Sequence, residues 1–195
     1  ARLELDSMPK EDFKGIIGCE VYVARRGLHL REKALGDYSG YHLILLAKNM
    51  TGYKNLIKIV SKAYTEGFYG RPRTDRTELE KHHEGLICCS ACIGGEIPRR
   101  IREGNIDMAR EAIAWHKRIF GEDYYLELQL HKPNVERANH ETYKIQEKVN
   151  EQLIALSQEM GVKLVCTNDV HFVDEEHAEA HDRLICLGTA KDLDD

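Results

Sequence analysis

Lys163-Leu164-Val165-Cys166-Thr167-Asn168-Asp169-Val170-His171 is the stretch on which the reading of this chain turns. Its first four residues read as a buried strand, after which the chain breaks into polar residues. Asp169 and His171 stand two positions apart, and in extended chain residues i and i+2 point the same way. A carboxylate and an imidazole would then converge just past a strand end, where α/β folds keep their chemistry. Both are good ligands for zinc, manganese or iron. Alone, the Asp-x-His spacing fits a surface turn or a histidine capping a helix as well as it fits a site. Partners from elsewhere in the chain have to decide.

Working outward, residues 139–161 read as a long amphipathic helix ending on Gly161, and residues 175–187 as a last helix. Upstream, strands are expected at 16–24, 42–47, 86–90 and 124–130, with 164–167 the fifth. Helices are expected at 51–67, 77–83, 93–103 and 106–120. In the first of these, Leu56, Ile57, Val60 and Ala63 give the spacing of an apolar face, Thr51 is placed to cap it and Gly67 to stop it. Residues 25–40 and 70–75 are polar and aperiodic and read as loops. Alternation of strand and helix argues for a mainly parallel sheet or a βα barrel. Five strands are too few for a closed eight-unit barrel, so the expectation is an open α/β domain or most of a barrel whose first units lie upstream. Residues 1–14 show no core pattern and no initiator Met, which suggests a chain that begins partway through something larger. Residues 190–195 read as a linker or a cut end.

Composition sets the outer bounds. The chain has 195 residues, 31% charged and 42% hydrophobic, with net charge −5. That balance suits a soluble globular protein and argues against a domain-wide basic surface. No apolar run approaches the ~18 residues of a membrane span. The cysteines do not form a disulfide framework. Cys19, Cys88, Cys89, Cys166 and Cys186 sit in or beside apolar runs and read as buried hydrophobes in a reducing, cytoplasmic compartment. Cys92 differs, because it stands at a strand-to-helix junction before Ile93-Gly94-Gly95-Glu96, where a thiolate is placed to ligate metal or act as a nucleophile.

Three more residues stand out against that frame. Glu20 lies inside the first strand, where it either faces solvent or is compensated by a metal or a base. His42 opens the second strand and reads as a strand-edge histidine bonded to backbone or as a ligand. Glu127, with Tyr125 and Gln129, falls on the more polar face of the fourth strand. There a solvated face is the simpler account and a barrel interior near a site the other. Glu20, His42, Cys92, Asp169 and His171 together offer ligand chemistry from four strands, although no pair forms a local zinc signature.

The resemblance carries the reading further. Tyr41-His42-Leu43-Ile44-Leu45-Leu46-Ala47-Lys48-Asn49 with Thr51-Gly52-Tyr53-Lys54-Asn55-Leu56 is similar to the PHP (polymerase and histidinol phosphatase) domains of bacterial replicative DNA polymerases, the polymerase III alpha subunits. So are Glu66-Gly67-Phe68-Tyr69 followed by Arg71-Pro72-Arg73-Thr74-Asp75, and Gly85-Leu86-Ile87 leading to Ser90-Ala91-Cys92-Ile93-Gly94-Gly95-Glu96-Ile97-Pro98. Thr167 to His171, with Ala180-His181-Asp182 downstream, completes the set. The resemblance covers residues 15–189.

It implies a distorted TIM-like (β/α)7 barrel of the PHP type, here with its first βα units missing, and up to three divalent metal ions (zinc, manganese or iron) at the strand ends. It implies Glu20, His42, Cys92, Asp169 and His171 as metal ligands. It implies a DNA-directed DNA polymerase as the parent, with a structural role for this domain and 3′→5′ exonuclease proofreading as a further activity. The family opens with a His-x-His motif, and residues 1–14 contain no histidine. The expectation is therefore a fragment with weak, partial metal binding and no useful hydrolysis of its own. Implied partners are the remaining polymerase domains, DNA and other replisome subunits, but no membrane, with self-association through an exposed sheet edge. Nucleic-acid or interdomain contacts are expected from Arg25, Arg26 and Arg31, and from Arg71, Arg73 and Arg76. A stand-alone phosphoesterase of the histidinol-phosphatase type and a metal-free scaffold are the other readings.

Overall fold

Val21 and Val23 alternate with Glu20 and Tyr22 along β1 (Gly18–Ala24), and Tyr41, Leu43 and Leu45 alternate with His42 and Ile44 along β2 (Gly40–Ala47). The two strands pair antiparallel, with Val21 opposite Leu43 and Tyr22 opposite His42. Residues directly opposite in such a pair share a face. One face therefore carries the buried Val21, Val23, Tyr41, Leu43 and Leu45, and the other carries Glu20, Tyr22, His42 and Ile44. The computed structural model describes residues 15–132 and 141–193. The lead-in expected at 1–14, the start of the helix expected from residue 139, and residues 194–195 lie outside the described residues.

The remaining strands and α-helices among the described residues are α1 (Met50–Thr65), β3 (Arg73–Thr74), α2 (Arg76–His82), β4 (Leu86–Cys89), α3 (Glu96–Arg102), α4 (Ile106–Phe120), β5 (Tyr124–Leu128), α5 (Glu141–Met160), β6 (Lys163–Cys166) and α6 (Ala178–Thr189). The six described strands form one sheet in the order β3-β1-β2-β4-β5-β6. β1 runs parallel to β3, β4 to β5 and β5 to β6, while β2 is antiparallel to both of its neighbours. The α/β class agrees with the expectation. The sheet is mixed rather than uniformly parallel because a loop without a crossover helix joins β1 to β2. Among the described residues it is an open sheet.

The core gathers the buried face of β1 and β2 with Leu56 and Ile59 of α1, Ile97 and Ile101 of α3, Ile113 and Phe120 of α4, and Val149, Leu153 and Leu156 of α5. Full burial of one such aliphatic side chain contributes about 1.5–3 kcal/mol. Among the described residues no helix is long and apolar enough to cross a membrane.

Several local expectations are corrected. The cap of α1 is Asn49, whose side chain accepts from the Gly52 N–H, rather than Thr51. The buried face of α1 runs through Gly52, Asn55, Leu56, Ile59 and Ala63, and Ile57 is exposed. Gly52 sets that phase, because a Cβ there would lie 1.8 Å from the Gly85 carbonyl oxygen. β3 forms where a loop was expected. β6 is an edge strand that is only half covered, with Cys166 exposed rather than buried. α6 buries none of its residues among the described ones.

Candidate metal centre

The reversal of β2 is what assembles the site. Running against β1 and β4, β2 brings His42, near its start, to the edge of the sheet where β4 ends. Glu20 sits two residues before Tyr22, the cross-strand partner of His42, and so lies diagonal to His42 on one face. Its Oε1 is 2.5 Å from His42 Nδ1. The carboxylate that looked costly in the first strand is thus compensated by a base. Beyond β4, Ala91 adopts φ 62°, a left-handed conformation that costs a residue with a Cβ about 1–3 kcal/mol. The turn it makes delivers Cys92 Sγ to 3.6 Å from the same Nδ1.

The turn is held by its own bonds. The Gly95 N–H donates to the Cys92 carbonyl at 2.8 Å, the Gly94 N–H reaches Cys92 Sγ at 3.4 Å, and the His42 N–H donates to the Gly94 carbonyl at 3.1 Å. Gly94 lies under the imidazole, where a Cβ would stand 3.1 Å from ring atoms. At Gly95 a Cβ would fall 2.1 Å from the Ser90 carbonyl oxygen, so only glycine fits there. The Tyr22 ring meets His42 edge-on at 5.0 Å between centroids.

One ligand atom each from Glu20, His42 and Cys92 falls within 4.8 Å of the others. Carboxylate, imidazole and thiol are the three donor types found around zinc, and their compactness fits a single divalent ion. The electrostatics reflect the packing. Hydrogen bonds to Cys92 and then to Glu20 outweigh burial and raise the His42 imidazole to about 9. The bond from His42 holds the Glu20 carboxyl below its ordinary value, with further help from the charges of His171 and Arg71.

Asp169 and His171 lie outside this cluster. They are neighbours of each other, with His171 Nδ1 4.0 Å from Asp169 Oδ1 and 2.8 Å from its own Asp169 carbonyl oxygen. Both are exposed, in irregular chain just past β6. With His131, Phe172 and His181 they line an open cleft of about 760 Å³. His171 is nonetheless close enough for its charge to bear on Glu20.

The arginines divide by what already holds them. Arg73 is fully buried, and its guanidinium donates to the carbonyls of Gly67, Leu28, Leu30 and Asp37, which leaves nothing for a nucleic acid at the surface. Arg25 lies over the Tyr41 ring and donates to Ser39. Arg26 pairs with Glu32 and the buried Asp37. Arg31 donates to the Glu66 carbonyl and Arg76 to Glu96. Arg71 is exposed, lies over the Tyr22 ring and donates to its hydroxyl at 2.6 Å, which sets it beside the cluster.

Of the two readings of Glu127, the solvated face is corrected, because the side chain is buried. It is 5% exposed, accepts from the Ala91 N–H and accepts from the Thr167 hydroxyl. The signal available in sequence was its alternation with Gln129, which is also buried.

A family profile described as "PHP domain" matches residues 5–131. DNA polymerase III subunit alpha of Borreliella burgdorferi is 50% identical over 181 residues, covering 92% of this chain and 15% of that protein. The protein of the same name from Treponema pallidum is 42% identical, covering 95% of this chain and 15% of the relative. That from Thermus aquaticus is 41% identical, covering 93% and 14%. The chain therefore spans about one-seventh of the length of these curated relatives.

Proposed function

This chain belongs to the PHP domain family, and from that premise we propose that it is the PHP domain of a DNA polymerase III alpha subunit and that Glu20, His42 and Cys92 hold a divalent metal ion. The observation that carries the metal reading is the convergence of those three side chains within 4.8 Å, from two strands and a turn far apart in sequence. Relatives at 41–50% identity support the polymerase reading.

A divalent ion bound there supplies Lewis-acid polarisation of a phosphodiester and makes water more acidic. The residues prepare for it in distinct ways. Glu20 brings negative charge, held ionised by its contact with His42. His42 offers an imidazole nitrogen aimed between carboxylate and thiol. Cys92 biases the donor set toward zinc or another soft-leaning ion over magnesium or calcium. Asp169 and His171, on the neighbouring segment, are the groups through which the family resemblance extends the ligand set. Arg71 presents a guanidinium beside the cluster, suited to a phosphate of a nucleic-acid strand. In the full-length protein this arrangement fits 3′→5′ phosphodiester cleavage beside a polymerisation site in other domains.

Elemental analysis of the purified chain after exchange into zinc-containing and then zinc-free buffer tests the metal reading. The expected result is partial occupancy, at most one ion per chain, with metal content lower still in His42→Ala and Cys92→Ala. Equal metal content in the chain and in both variants would sink the assignment.

A further inference from the structure

We infer that Glu127 is a positioning residue for the metal centre, its one carboxylate fixing both the turn that carries Cys92 and the segment that carries Asp169 and His171. The inference rests on the reading that Glu20, His42 and Cys92 hold a divalent ion. Glu127 lies in β5, buried, and makes no ion pair among the described residues. A buried carboxylate without a cation needs hydrogen-bond donors. Glu127 draws them from the two sides of the site. Oε1 accepts from the Ala91 N–H at 2.7 Å and Oε2 accepts from the Thr167 hydroxyl at 2.6 Å. Its own N–H donates to Ser90 Oγ at 2.8 Å, a second tie to the chain just before the turn.

The Ala91 bond matters because of where Ala91 stands. Its φ of 62° is held only while the surroundings hold it, and Cys92 follows directly. Releasing the Ala91 N–H lets that residue relax to an ordinary conformation and swings Cys92 Sγ away from His42. The Thr167 bond acts on the other side, two residues before Asp169. Gln129 Nε2 donates to the same Thr167 oxygen at 3.2 Å, which leaves the hydroxyl proton directed at Glu127. The Thr167 N–H donates to the Leu128 carbonyl, so the segment departs from β5 at a fixed point. Glu127→Met keeps a similar length and removes both acceptors, which leaves the Ala91 N–H and the Thr167 hydroxyl without their partner.

Cobalt(II) titration of the full chain reads this, because a thiolate on cobalt gives a near-ultraviolet charge-transfer band that reports Cys92 itself. Glu127→Met is expected to weaken cobalt binding about 10–100-fold and to diminish the band at saturating cobalt. Thr167→Val, which spares the Ala91 bond, is expected to weaken binding about tenfold, the low end of that range, and to keep the band. Wild-type affinity and band intensity in a folded Glu127→Met chain would overturn the proposal while leaving the metal reading intact. If circular dichroism shows Glu127→Met unfolded, Thr167→Val decides, and unchanged affinity there overturns the proposal. A wild-type chain that gives no cobalt–thiolate band removes the metal reading and this inference with it.

Discussion

Glu20 Oε1 and His42 Nδ1 face each other at 2.5 Å across the β1–β2 ladder, and the same nitrogen is 3.6 Å from Cys92 Sγ. Without metal, this contact shares a proton; with metal, it has to give that proton up. The pH at which the exchange becomes easy follows from His42, raised to about 9 by its bonds to Cys92 and Glu20.

Metal affinity should therefore climb with pH. Below about 9 the His42 ring is protonated, and ligation displaces that proton. The proton displaced from His42 makes affinity rise at least about tenfold per pH unit through the neutral range, and more steeply where the Cys92 thiol gives up its proton to the metal as well. Competition of the chain against a chromophoric chelator at several pH values measures this. An affinity that does not change across that range would show that His42 is not a ligand.

Gly94→Ala should damage the centre more than the fold. The added methyl would stand 3.1 Å from the His42 ring, close enough to displace the imidazole by a few tenths of an ångström. Overpacking of this kind costs about 1–3 kcal/mol in a tight core, and less where a half-buried ring can move. The expected outcome is several-fold weaker zinc binding with a small change in melting temperature. Calorimetry of both variants would show it, and unchanged zinc affinity would argue that the ring position is immaterial.

Arg73→Met should unfold the domain more readily without a surface cause. Arg73 joins residues 28–37 to Gly67 through backbone carbonyls and is capped by the Tyr69 ring at 5.4 Å. Removing the guanidinium leaves several buried acceptors unmatched, each costing about 1–3 kcal/mol. Urea denaturation should record a loss of about 3 kcal/mol or more. A loss below 1 kcal/mol, on that same scale, would mean the carbonyls find water instead.

Acid should weaken the fold through His116. That ring is buried, stacks on Tyr124 at 5.0 Å and donates from Nδ1 to the Ala112 carbonyl at 2.8 Å. Burial lowers it from 6.5 to about 4. Above the ordinary value both folded and unfolded chains carry it neutral, and its contribution is complete. As pH falls toward 4, only the unfolded chain takes the proton, so stability is lost, by roughly 3 kcal/mol in all. His116→Phe should flatten that limb of the stability profile, measured by urea midpoints across the acid range. Parallel wild-type and variant profiles would contradict the assignment.

The strands and helices were legible because burial on one face leaves a period in the sequence. Val21 and Val23 against Glu20 and Tyr22 is such a record. Glu20, His42 and Cys92 were each visible as a residue type at odds with its surroundings. Their meeting was implied by the resemblance but was not legible in the residues alone, because it depends on the reversal of β2 and on the left-handed turn at Ala91, neither of which has a residue code of its own. Glu127 shows the same limit. Alternation assigns it a face but cannot say that the Cys92 turn will cover that face. Arg73 read as a nucleic-acid or interdomain contact because the carbonyls that hold it come from chain as far as 45 residues away. β6 looked buried from its composition, whereas its cover depends on what lies beyond the sheet edge.

X-ray absorption at the zinc edge of the loaded chain tests the central claim most directly, because it counts donors by element. The account expects one sulfur near 2.3 Å with nitrogen and oxygen near 2.0–2.2 Å, and the sulfur shell lost in Cys92→Ser. A shell of nitrogen and oxygen alone in the wild-type chain, or one unchanged in Cys92→Ser, would contradict it.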